Sequence, residues 1–224
     1  MSGFAGFTPE ATDFLKALAA NNNREWFLAN KAVHERAVKA PLGALVESLA
    51  LGFAAHDVPL MGSAKTSLFR INRDVRFSND KSPYKVNAGA VMSRDGMRRA
   101  RGLLYFHIGP EGGLVATGFY APEPADLALL RLAITRRPKE WLKILADLKK
   151  AGLELSREET LARPAKGFET ADPALAESLK LKGFTIRREI PTARLHSPAL
   201  QDEIFAFAQT GLPLLQFGWR ALTG

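Results

Sequence analysis

The sequence predicts an α+β fold, a single domain with helices packed on a mainly antiparallel meander sheet. Three observations carry that expectation. Apolar residues recur at helical spacing through the first sixty positions. The period shortens to two from about Ser67, and helical spacing returns after "APEPAD" at 121–126. No repeat, low-complexity run or linker divides residues 1–224. The expected parts are a helical segment over about 8–55, a sheet over about 67–120, and a mixed, mostly helical segment over about 124–222.

Thr8-Pro9 reads as an N-cap with proline in the first turn, followed by the stripe Phe14, Leu15, Leu18 and Ala19. "NNN" at 21–23 ends that helix, and Asn23 can cap a second that opens at Arg24. Pro41 is expected to restart a third, carrying Leu42, Leu45, Val46, Leu49 and Phe53. Four short strands are expected next, at Phe69–Phe77, Val86–Met92, Gly102–Ile108 and Leu114–Tyr120. Their short connections imply antiparallel pairing, because parallel strands need long crossovers. Helices follow around Leu127–Ile134 and Trp141–Leu148, the second stopped by Gly152. Residues 153–168 read as irregular, "GFTIRREI" at 183–190 as a further strand, and Asp172-Pro173 and Ser197-Pro198 as helix starts.

The 224 residues can bury a large core. The absence of cysteine excludes disulfides and thiolate zinc sites and favours a reducing, cytoplasmic compartment. The N-terminus lacks the basic and apolar regions of a signal peptide, and Ala44–Ala55 is too short an apolar stretch to span a bilayer, so no membrane partner is expected. The net charge of +8 is unevenly placed. Residues 61–122 hold 10 basic and 4 acidic side chains, and so carry +6 of it.

The centre of that field is "FRINRDVRFSNDKSPYK", Phe69 to Lys85, with five basic and two acidic residues. Alternation puts Arg70, Asn72, Asp74 and Arg76 on one strand face and Arg73 on the other, among Phe69, Ile71, Val75 and Phe77. An arginine facing a core needs a carboxylate or an anionic ligand beside it, unless a bulge turns it outward. "SNDKSPYK" is turn chemistry, with Asp80 able to bond the backbone two residues on, and the turn returns Lys81, Tyr84 and Lys85 towards the strand. Guanidinium forks match carboxylate and phosphate. The candidate ligand-binding residues are therefore Arg70, Arg73, Asp74, Arg76, Asp80, Lys81, Tyr84 and Lys85.

Three readings follow. The first is a site for an anionic small molecule, phosphate- or carboxylate-bearing, with Asp74 or Asp80 as an orienting or acid–base group if the ligand is turned over. The second is nucleic-acid binding, with Arg94, Arg98, Arg99 and Arg101 as a clamp. The third is a non-catalytic domain whose charged strand is an internal ion-pair network. Neither a cofactor, a catalytic residue nor an oligomeric state follows from the sequence. His34, His56, His107 and His196 show no ligand spacing, so no metal is expected. "NRDVRFSN" lacks the partner motifs of a kinase, "RGLLYFHI" departs from an RNA-recognition signature, and "GPEGG" lacks the lysine of a phosphate loop.

"NNNREWF" at 21–27, the stretch 69–85 and "RPAKGF" at 163–168 together resemble the family called domain of unknown function 2461. The resemblance spans nearly the whole chain. Its central motif maps onto Arg70, Arg73-Asp74, Arg76-Phe77, Asp80-Lys81 and Tyr84, while Ala165 stands where the family more often has proline. The resemblance implies a single-domain, mostly bacterial protein of this length, carries no activity with it, and marks the charged stretch as the family's hallmark.

Overall fold

The computed structural model describes residues 3–76, 79–169 and 172–223. Phe77, which the sequence places in the first strand and in the motif, lies outside the described residues. The fold is α+β, with one four-stranded antiparallel meander in the order β1-β2-β3-β4. The strands are β1 Ala88–Ser93, β2 Leu103–Gly109, β3 Gly112–Phe119 and β4 Phe184–Pro191. Helices α1 Pro9–Ala20, α2 Arg24–Ala29, α3 Lys31–Val33, α4 Ala40–Ala55 and α5 Ala64–Ser67 precede the sheet. Helices α6 Pro124–Arg136, α7 Pro138–Lys150 and α8 Pro173–Lys180 lie between β3 and β4, and α9 Thr192–Leu195 and α10 Leu200–Leu222 follow.

The chain forms two compact units. The first comprises Met1–Ala100, Tyr105–Val115 and Glu189–Ala206, and the second Arg101–Leu104, Ala116–Arg188 and Phe207–Gly224.

In the first unit the expected cap at Asn23 forms, its side chain accepting from the Trp26 amide at 2.9 Å, whereas Thr8 precedes α1 without a side-chain cap bond. Pro41 does not restart a helix. A helical run continues from Lys31 to Ala55, with a π-helical segment at His34–Lys39. The wider turn accommodates a proline that lacks an N–H and whose ring crowds the preceding turn. This run is long and apolar enough in composition to cross a membrane. Its side chains Val38, Leu42, Leu45, Val46, Leu49 and Phe53 are instead buried in the protein, and α4 packs against β1. Each such side chain contributes roughly 1.5–3 kcal/mol by leaving water.

In the second unit α6, α7 and α8 pack on one another. Trp141 of α7 meets Phe184 and Phe217 with ring centroids at 5.5 and 5.1 Å, and its indole N–H donates to Ser178 at 2.9 Å. Gly118 on β3 has φ +128°, and a Cβ there would fall 2.1 Å from the Phe184 carbonyl oxygen. Only glycine lets these two backbones approach so closely.

One expected strand does not form. The segment 68–76 makes isolated antiparallel bridges rather than a ladder, Leu68 to Ala90 and Asn72 to Tyr84. The fourth strand of the sheet is β4, from "GFTIRREI". The reason is local chemistry. Asp74 Oδ1 takes the Arg76 amide, Asp80 Oδ1 takes the Ser82 amide, and Pro83 has no amide to give.

Candidate functional site

The charged stretch folds as a tight loop on the first unit. Phe69 N–H donates to the Gly89 carbonyl at 2.9 Å, which ties the loop's start to the edge of β1. The chain then pairs with its own return limb: the Arg73 amide donates to Pro83 O at 2.9 Å and the Lys85 amide to Ile71 O at 2.8 Å. The Asn22 side chain fixes the return limb by accepting from the Tyr84 amide at 3.1 Å and donating to its carbonyl at 2.9 Å. Tyr84 itself is 5% exposed, its ring stacked on Phe27 with centroids 4.1 Å apart. It anchors the loop to the helical segment, and its ring belongs to the core.

The side chains sort into pairs and a remainder. Arg73 pairs with Asp80, and Asp74 takes both Nε and Nη2 of Arg76, at 3.0 and 2.7 Å. Asp80 also caps the turn, accepting from the Ser82 hydroxyl at 2.6 Å. The hydrogen bond from Arg76 holds the Asp74 carboxyl down to about 2. The Ser82 hydroxyl and amide, and then the Arg73 charge, hold Asp80 below the usual carboxylate range. Both acids are thus committed to their arginines and ionised at neutral pH. The Lys81 ammonium donates to Val75 O at 3.0 Å.

Five cations against two carboxylates leave a surplus, and it centres on Lys85. The Lys85 ammonium donates to Arg70 O at 3.2 Å and lies 5.4 Å from the Phe69 ring centroid. Burial lowers its pKa, and the nearby charges of Arg70 and Arg73 lower it further. No carboxylate pairs with Lys85 or Arg70 among the described residues. The expectation that Arg73 faces a core holds only in part. Its side chain is 27% exposed, and its Nε is buried without a hydrogen-bond partner. Phe69, Ile71 and Val75 are not buried either, and Phe69 is 38% exposed.

Two further residues adjoin this loop that the sequence reading passed over. On β2 the alternate residues Leu104, Phe106 and Ile108 are buried, while Tyr105 and His107 lie half-buried on the opposite face. The Tyr105 hydroxyl is 3.0 Å from His107 Nδ1. Burial raises the tyrosine's pKa and lowers the histidine's, so both are neutral at pH 7. The rings fit because residue 89 on β1 is glycine: a Cβ there would meet Tyr105 Cε2 and His107 Cβ at 3.2 Å. The Phe69 ring lies 6.1 Å from that of Tyr105. The signal in the sequence was the alternation of "LLYFHI", which puts tyrosine and histidine on the less apolar face of one strand. Their placement beside Phe69 depends on pairing with β1.

The basic residues after β1 are divided between the two units. Arg98 donates to Leu68 O at 2.7 Å within the first unit, and in the second Arg101 pairs with Asp126 at 3.1 Å. Among the described residues no three His, Asp or Glu side chains converge in a way that could hold a metal ion.

The chain belongs to the family described as conserved hypothetical protein DUF2461, whose model matches residues 10–217. No curated protein and no solved structure matches it.

Proposed function

We propose that this member of the DUF2461 family binds a small anionic ligand, phosphate- or carboxylate-bearing, on the loop 69–85. Lys85 and Arg70 make the primary contacts, and Arg73 supports them. The observation that carries this reading is the state of Lys85: a half-buried ammonium pressed by two arginines, with no carboxylate beside it. Such a cation is held at a cost that an anion would relieve. The unpartnered buried Nε of Arg73 adds a donor without an acceptor in the same loop. Asp74 and Asp80 act by orienting the arginines, since carboxyls held so far below neutrality are poor proton carriers at pH 7. An internal ion-pair network accounts for the Arg73–Asp80 and Asp74–Arg76 pairs, and the Arg70 charge also acts on Asp74, but it leaves Lys85 without a role. The cysteine-free sequence supports a cytoplasmic setting.

The test is a set of thermal melts with phosphorylated metabolites, organic acids and inorganic phosphate, on the parent protein and on Lys85→Met. A ligand at about 100 times its dissociation constant stabilises by about 2.7 kcal/mol, a rise of about 5–11 °C for a chain of this size. The rise should vanish in Lys85→Met. A panel without any shift, or one unchanged by the substitution, overturns the reading.

A further inference from the structure

Beside the cationic loop, the open face of β2 carries a row of partly exposed rings. The Lys85 ammonium lies over Phe69, the Phe69 centroid is 6.1 Å from that of Tyr105, and Tyr105 is 5.5 Å from His107. The Tyr105 ring leans over Gly89, where β1 contributes only backbone. Phe69 is among the exposed large apolar side chains of the described residues. An exposed ring next to an unpaired cation is the arrangement by which proteins hold a planar ring joined to a phosphate: the ring stacks, the cation takes the charge.

We infer that the ligand of this site is a phosphate joined to a planar heteroaromatic ring, as in a nucleoside monophosphate, with the ring against Phe69 and Tyr105 and the phosphate at Lys85 and Arg70. The inference rests on the anion-binding reading above and narrows it. His107 hydrogen-bonds Tyr105 through Nδ1, which leaves Nε2 as an uncharged group able to meet the polar edge of a ring rather than an anion. The ligand is a free small molecule rather than a nucleic-acid strand. Two of the loop's three arginines are already paired to aspartates, so Lys85 and Arg70 amount to a cradle for one phosphate.

The experiment is calorimetric titration of the parent protein, Phe69→Leu, Tyr105→Leu and Lys85→Met with adenosine 5′-monophosphate, ribose 5-phosphate and a short single-stranded oligonucleotide. The monophosphate should bind about tenfold tighter than ribose 5-phosphate, since stacking on one side chain is worth about 1–3 kcal/mol. Phe69→Leu should erase that preference, bringing the monophosphate to the affinity of ribose 5-phosphate for the same variant. Because Phe69 is exposed, this variant keeps the fold even if Tyr105→Leu does not. Equal affinity for the two phosphates, with both lost in Lys85→Met, overturns the ring and leaves the anion site standing. A preference untouched by Phe69→Leu also overturns it. Oligonucleotide binding far tighter than the monophosphate, with a steep salt dependence, replaces it with a strand-binding surface. No binding of either phosphate overturns this inference, and the melts with organic acids and inorganic phosphate then decide the anion reading by themselves.

Discussion

Two stretches of this chain carry nearly the same pattern and end differently. "FRINRDVRF" at 69–77 and "FTIRREI" at 184–190 both alternate apolar and charged residues. The second becomes β4, with Phe184, Ile186 and Ile190 buried and its charges facing out, Arg187 pairing with Glu158. The described part of the first becomes a loop in which no residue from Phe69 to Arg76 is buried. The difference lies in what the polar side chains do. In β4 they bond other side chains and leave the backbone free for its ladder. In the loop Asp74 and Asp80 take backbone amides for themselves and bend the chain. Alternation marks an extended segment; the short acids decide whether it joins a sheet.

That comparison can be broken from either side. The largest effect should come from closing the space that admits β4. Gly118→Ala places a Cβ against the Phe184 carbonyl at a positive φ, and should cost about 3 kcal/mol or more, read as a fall in the denaturation midpoint. Next is the anchor of the loop. Asn22→Ala removes both bonds to the Tyr84 backbone, and should cost about 2 kcal/mol. The amides of Arg73 and Lys85 should then exchange faster, while those of β4 stay protected.

A smaller effect on stability, and a larger one on binding, is expected at Asp80. Asp80→Asn keeps the turn and removes an exposed carboxylate charge opposite half-buried Arg73, so stability should change by about 1 kcal/mol or less. Anion affinity should rise, as read by titration with phosphate at low salt. The matching change on β4, Arg187→Ala, breaks an exposed pair and should likewise move stability by less than about 1 kcal/mol, with phosphate affinity unchanged.

The pH dependence follows from groups outside both stretches. His34 is 7% exposed among Phe14 and Phe27, and its Nδ1 is 3.7 Å from the Glu35 carboxylate, beyond hydrogen-bond range. Burial lowers the pKa of both His34 and His107. The unfolded chain therefore takes up these protons first, and stability falls as pH drops below about 6.5. Asp74 and Asp80 act in the opposite range, their contribution present above the ordinary carboxylate value and lost only in strong acid. Melts between pH 7 and 5 should show the midpoint falling, with a shallower slope in His34→Phe.

The sequence by itself determined the fold class, most helix starts, three of the four strands of the meander and, through β4, the last. It also determined the charge of the candidate site, since Arg70, Arg73 and Lys85 stand within one stretch. These features rest on local periodicity, capping and composition, which a chain carries wherever it goes. Tertiary structure decided which charges cancel, because the Arg73–Asp80 pair depends on how the loop folds back. It decided that Tyr84 is an anchor, since Phe27 and Asn22 lie about sixty residues away in the chain. It also brought Tyr105 and His107 beside Phe69, which required β1 to present Gly89 at that register. A contact across strands is a property of the pairing, and no single strand encodes it.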